Sequence, residues 1–257
     1  MVAVSNRVIH QHLDSPLLSE AFRFLENDVE TQSYLKMANI MAVKRLGYND
    51  HGPVHAKIIA GSALEIFSLL TDAVEPSSVM NGICDYDDAR LIVLLGAYLH
   101  DVGNAIHRID HEKTGALLAS NLLDRLLLEL YDNDPGLAYR VKSEVLHALY
   151  SSDDFIPCLS VEAGVVTVAD GTDMAGGRSR ASFLSGKNDI HAISARAINK
   201  VIIIKGEITP VSIQVFMDNP AGIFQIEDVI GKKIKSSGIG ELVEVIASMN
   251  GDEIKTL

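Results

Sequence analysis

Along the first two-thirds of the chain, apolar positions recur three and four apart, the spacing of helices that bury one face. Between Ser15 and Leu46 they fall at Leu18, Phe22, Leu25, Val29, Tyr34, Met37, Ile40, Met41 and Val43, which predicts two helices or one bent one. Asp14, Ser15 and Pro16 supply a helix start and Gly47 a stop. A further helix is expected from about Pro53 to Thr71, burying Ile58, Ile59, Ala63, Ile66, Leu69 and Leu70. Residues 75–86 read as a loop. From Asp87 the pattern changes: Leu91 to Leu99 carries no charge at all, which predicts a helix buried on every side. Gly103 and Asn104 interrupt it, and helices follow over Lys113 to Leu130 and Leu137 to Tyr150. Val161 to Asp173 has the valine content of a strand, but its helical surroundings favour a buried helix. Gly176 to Asn188, rich in Gly, Ser and Arg, reads as a mobile loop.

The period changes near Asn199. Lys200 to Glu207 and Val211 to Asp218 read as strands, Ala221 to Lys235 as a helix, and Glu241 to Ala247 as a third strand. Lys232, Lys233 and Lys235 fall in the last turns of that helix, where they complement its dipole. The expected architecture is an all-α helical bundle over residues 1–197, followed by a small α+β unit of ββαβ order over residues 198–257.

Composition narrows the function classes. The chain has 257 residues and a net charge of -12, so gripping a nucleic-acid polymer, which needs clustered Lys and Arg, is not expected. A small anionic substrate held through a metal remains compatible with that charge. Cys84 and Cys158 form no CxxC pair and fit a reducing cytoplasm. The N-terminal MVAVSNRVIHQHLDSPLL has neither the basic start nor the apolar core of a signal peptide. The Leu91 to Leu99 run is about half the roughly 20 residues of a membrane helix, so no membrane partner is expected. Exposed strand edges in the C-terminal unit make a homodimer the expected assembly.

The candidate chemistry lies where helices begin, end or break beside apolar sequence. His55, His100, His111 and His147 all lie at such places, and Asp101 and Asp170 end apolar runs. Four imidazoles and two carboxylates from separate helices can converge on one pocket. Mixed nitrogen and oxygen ligands suit Mn, Fe, Co, Ni or Zn better than Mg or Ca. Six groups exceed the needs of one tetrahedral ion, so either one or two divalent transition metals are expected, two of them sharing a carboxylate.

The order of these fragments, His55 in DHGPVHA, His100 and Asp101 in YLHDVGN, and Asp170 in VVTVADGTDM, resembles the HD superfamily of metal-dependent phosphohydrolases over roughly residues 35–180. That resemblance implies one metal held by His55, His100, Asp101 and Asp170. It implies a second held by His111 and His147 with Asp101 as the bridge, and His107 as the alternative to His111. A water activated by the metals would attack the phosphoryl group. His51, four residues before His55, matches the proton donor of the family's cyclic-nucleotide phosphodiesterases, so the implied catalytic residues are Asp101 and His51. The family's lysine shortly after the His-Asp pair is replaced by Asn104. Arg178 and Arg180, and more weakly Lys57, are the expected substrate-phosphate contacts, since arginine forks onto phosphate oxygens. Asp173 is placed to orient a ligand histidine. The expected function is hydrolysis of a phosphoester of a small molecule, a nucleotide or a related compound. A di-iron oxygenase on the same ligands, and a non-enzymatic regulatory module, are the alternatives.

Overall fold

The computed structural model describes residues 1–175 and 190–256. The expected loop over 176–188, with Arg178 and Arg180, lies outside the described residues. The helical part opens with α1 (Pro16–Asn27) and α2 (Val29–Asn39), separate helices rather than one bent one. Asp28 is the reason: it closes α1 and caps α2, its side chain accepting the Thr31 amide at 2.8 Å. A wider turn over Ile40–Arg45 then carries the chain to Gly47, whose φ of 67° only glycine adopts without strain. After α3 (Pro53–Leu70) comes a single turn, α4 (Ser77–Met80). The central helix is α5 (Tyr86–Leu99), started by a reciprocal capping box between Asp85 and Asp88.

Every side chain from Leu91 to Leu99 is buried, as the uncharged run requires, with α1, α3, α7 and α8 packed around α5. α6 (His111–Leu130) starts two residues earlier than its apolar pattern implies, which places His111 in its first turn. α7 (Pro135–Tyr150) and α8 (Val161–Thr172) complete the bundle. The valine-rich segment is helical, capped by Ser160 accepting the Ala163 amide.

The C-terminal sheet is larger than the ββαβ unit expected. It is mixed and five-stranded, ordered β1 (Val2–Ala3), β2 (Ile198–Lys205), β3 (Val211–Met217), β4 (Val243–Met249) and β5 (Asp252–Thr256). Neighbours run antiparallel except β3 and β4, which are parallel with Val215 opposite Ala247. A two-residue strand from the far end of the chain has no period of its own, so β1 left no trace in the pattern. The single helix expected over Ala221 to Lys235 is three pieces: a short turn at Pro220–Gly222, a π-helical stretch at Gln225–Ile230 and an α-helix at Gly231–Ser236.

One cluster of buried apolar residues runs through both parts, from Leu18 and Leu91 to Ile203 and Val245. Two glycines of α8 let the C-terminal segment approach closely. A Cβ at Gly164 would stand 2.3 Å from the Ser237 carbonyl oxygen, and one at Gly171 would stand 2.9 Å from the Ile230 side chain. Among the described residues, α3 alone is long and apolar enough to cross a membrane by length and composition. It is packed on α5 and α8 as a core helix of the bundle.

Candidate metal centre

Three helices bring four donor residues to one small region. His55 comes from the first turn of α3, His100 caps the end of α5 with Asp101 beside it, and Asp170 lies in the last turn of α8. His55 Nε2 is 3.3 Å from His100 Nε2, 3.4 Å from Asp101 Oδ2 and 3.3 Å from Asp170 Oδ1. His100 Nε2 is 3.5 Å from Asp101 Oδ2 and 3.4 Å from Asp170 Oδ1. The triangle of His55 Nε2, His100 Nε2 and Asp101 Oδ2, with edges of 3.3, 3.4 and 3.5 Å, leaves room for a point about 2.1 Å from each corner, the bond length of zinc to imidazole or carboxylate, and Asp170 Oδ1 stands beside the two imidazoles.

The protons are arranged to leave those corners bare. His100 Nδ1 lies 2.8 Å from the Ala97 carbonyl, which can only accept, so Nδ1 carries the proton and Nε2 presents a lone pair. His55 Nδ1 donates to Asp173 Oδ2 at 2.8 Å, with the same consequence. Two lone pairs 3.3 Å apart repel unless a cation lies between them. Asp101 Oδ2 is buried and accepts no hydrogen bond, an orphan that a metal would satisfy. The residues present therefore fit a divalent transition metal.

Charge around the cluster keeps the two acids ionised. Burial by itself would raise the Asp101 carboxyl, but His100, His51, His111 and His55 together hold it well below the usual range. Asp170 is likewise pushed up by burial and pulled far down by Lys233 and His100. Lys233 Nζ lies 2.8 Å from Asp170 Oδ2 and 3.2 Å from Asp154 Oδ1.

On the other side of Asp101, Oδ1 accepts from Asn104 Nδ2 at 2.7 Å and faces His111 Nε2 at 3.4 Å. Asn104 fixes the carboxylate. Gly103 fixes His111: its backbone packs so tightly on α6 that a Cβ there would be 1.9 Å from the His111 carbonyl oxygen. Burial depresses the His111 imidazole, yet its bonds to Asp101 and Glu112 raise it overall. His51, 8% exposed, lines the cavity with its ring centroid 5.7 Å from that of His55, and its Nδ1 is 2.7 Å from the Asn49 carbonyl.

The structure thus brings His55, His100, Asp101 and Asp170 together, with His111 and His51 beside them, and it separates three other candidates. His147 does not line the cavity; its Nε2 accepts the Leu159 amide at 3.1 Å, because α7 turns that face toward the chain entering α8. Lys57 points the other way round α3 and pairs with Glu26. His107 is exposed, its Nδ1 accepting the Ile109 amide. Four residues that pattern reading passed over belong to the site: Arg108, Glu112, Asp154 and Lys233. Lys233 had only its place in a helix end to mark it, and nothing local shows that this helix meets α8.

The described residues around the centre enclose a cavity of about 640 Å³, whose walls come from the 47–51 loop, the start of α6, residues 152–155 and the segment carrying Lys233.

Residues 62–175 match the HD domain family, a span that holds His100, Asp101 and Asp170 and begins just after His55. An uncharacterized protein of Methanocaldococcus jannaschii is 46% identical over 225 residues, which cover 87% of this chain and 86% of that one. No solved structure matches the chain. The matched span and the donor atoms gathered around Asp101 lead to one assignment: the chain belongs to the HD domain family.

Proposed function

We propose that the chain is a metal-dependent phosphohydrolase that cleaves a phosphoester of a small molecule, such as a nucleotide or a related compound. The observation that carries this reading is the buried Asp101 Oδ2, left without a hydrogen bond between two imidazole lone pairs. His55, His100, Asp101 and Asp170 would hold Mn, Fe, Co, Ni or Zn. A divalent ion there supplies a Lewis acid that lowers the pKa of a water and offsets charge on phosphoryl oxygens.

The chain's own residues supply the rest. Asp173 and the Ala97 carbonyl lock the tautomers of the two histidines. Asn104 holds Asp101 in place, and Lys233 holds Asp170. His51, whose Nδ1 donates to the Asn49 carbonyl, would need a second proton at Nε2, as the imidazolium, to give one to the leaving oxygen. A cavity of about 640 Å³ suits a nucleotide-sized molecule. The di-iron alternative loses support from His147, which is bonded to the Leu159 amide. Two unpaired thiols, Cys84 and Cys158, fit a cytoplasmic protein, and the β2 edge, covered by only two residues of β1, fits pairing with a second copy.

The experiment is metal loading with each of these ions, followed by a phosphate-release screen of nucleotides, cyclic nucleotides and sugar phosphates. Metal-dependent release from one class supports the reading. A protein that retains metal and releases phosphate from none of them defeats it.

A further inference from the structure

The cavity walls are mostly acidic, so an anion entering them depends on very few cations. Asp110, Glu112, Asp153, Asp154 and Asp228 all line the walls, and the cations there are Arg108, Lys232 and Lys233. Lys232 is paired with Asp228 at 3.1 Å, and Lys233 lies between Asp154 and Asp170. Arg108 differs. Its nearest carboxylate oxygen, Asp101 Oδ1, is 3.8 Å away, beyond hydrogen-bonding reach. Its polar contacts, with His111 Nε2 at 2.9 Å and Asn104 Oδ1 at 3.4 Å, both use Nη1. Among the described residues, Nε and Nη2 keep their donors, and the side chain is 37% exposed on the cavity side of Asp101.

The same guanidinium bears on metal stoichiometry. A second ion bound by His111 and bridged by Asp101 would have to sit between His111 Nε2 and Asp101 Oδ1, which are 3.4 Å apart. Arg108 Nη1 already brings a positive charge to that place, and His147 is engaged elsewhere. Like charges repel strongly where water is scarce.

We propose that Arg108 is the anion-binding arm of a single-ion centre, its fork taking phosphoryl oxygens on the side where a second metal would otherwise stand. This rests on the phosphohydrolase reading for the identity of the anion, but its test does not need turnover. The planar fork suits two oxygens of one phosphate, and no carboxylate has to be displaced for it to turn toward a ligand.

The test is binding of inorganic phosphate to the metal-loaded full chain by calorimetry, with metal content measured on the same samples. Wild type should hold one ion per chain and bind phosphate. Arg108→Ala should keep its ion and lose phosphate affinity by about tenfold to a hundredfold, the usual loss for a charge-assisted hydrogen bond. Arg108→Lys should recover part of it, as a point charge without the fork, and Arg108→Gln serves if the alanine variant does not fold. Two ions per chain in the wild type, or undiminished phosphate binding by the alanine or glutamine variant, overturns the proposal. If phosphate binds as expected but no ester is hydrolysed, the anion site stands and the hydrolase reading is what fails.

Discussion

Lys233 places its ammonium 2.8 Å from Oδ2 of Asp170, so the segment between β3 and β4 supplies the counter-charge to an acid of the helical bundle's donor site. Lys233 is 9% exposed, and burial would lower its pKa, but Asp170 and Asp154 raise it overall. The ammonium therefore stays charged throughout the physiological range. Lys233→Met should leave both carboxylates uncompensated and destabilise the metal-free protein by about 3–5 kcal/mol, read from urea unfolding. Lys233→Arg should recover part of that loss; a methionine variant as stable as wild type contradicts the role.

Asp101 divides its two oxygens between tasks, Oδ2 toward the donor cluster and Oδ1 toward Asn104 and His111. Asp101→Ala should abolish retention of metal through dialysis and any phosphate release. Bound metal stabilises only the folded state, so metal-loaded wild type should melt above the chelator-treated protein. The alanine variant should melt at the same temperature with and without metal. A metal-dependent shift in that variant would show that Asp101 is dispensable.

Gly103 admits no side chain, because a Cβ would meet the His111 carbonyl oxygen at 1.9 Å and the Gly115 amide nitrogen at 2.5 Å. Both obstacles are backbone atoms and cannot rotate aside. Gly103→Ala should cost about 3 kcal/mol or more, at or above the usual range for overpacking, and should displace His111. Thermal unfolding checks the first effect, and the histidine ring resonances check the second. An unchanged melting temperature would mean that α6 can slide along the 102–105 turn.

His147 accepts the Leu159 amide at Nε2, so protonation there breaks that bond. Burial lowers its pKa below the ordinary histidine value, which means the folded state prefers the neutral ring. The sign follows: stability is unaffected above about pH 6.5, where the ring is neutral in both states, and falls as pH drops from there toward the folded pKa. His147→Gln should flatten that part of the stability profile. Asp101 and Asp170 act lower on the scale, since depressed carboxyls contribute stability above their unfolded value of about 4 and lose it as pH falls through their folded values. Equilibrium unfolding between pH 4 and 8 separates the two; an equally steep decline between pH 6.5 and 5 in the glutamine variant would clear His147.

The sequence by itself determined the long helices of the bundle, the order of the donor residues and the place where helix gives way to strand. Those are local properties: the three-and-four spacing, the uncharged run of α5, the helix start at Ser15 and the dipeptide His100-Asp101 are each legible within a few residues. Only the tertiary structure decided which donors meet. His111 and His147 carry similar local signatures, yet α6 starts against Gly103 and turns His111 to Asp101, while α7 turns His147 to the Leu159 amide. The same holds for β1, for Lys233, which reaches Asp170 because Gly164 and Gly171 let two backbones come close, and for Arg108. The physical reason is range. Helix periodicity is set by neighbours along the chain, whereas the direction in which a side chain finds its partner is set by contacts between segments far apart in it.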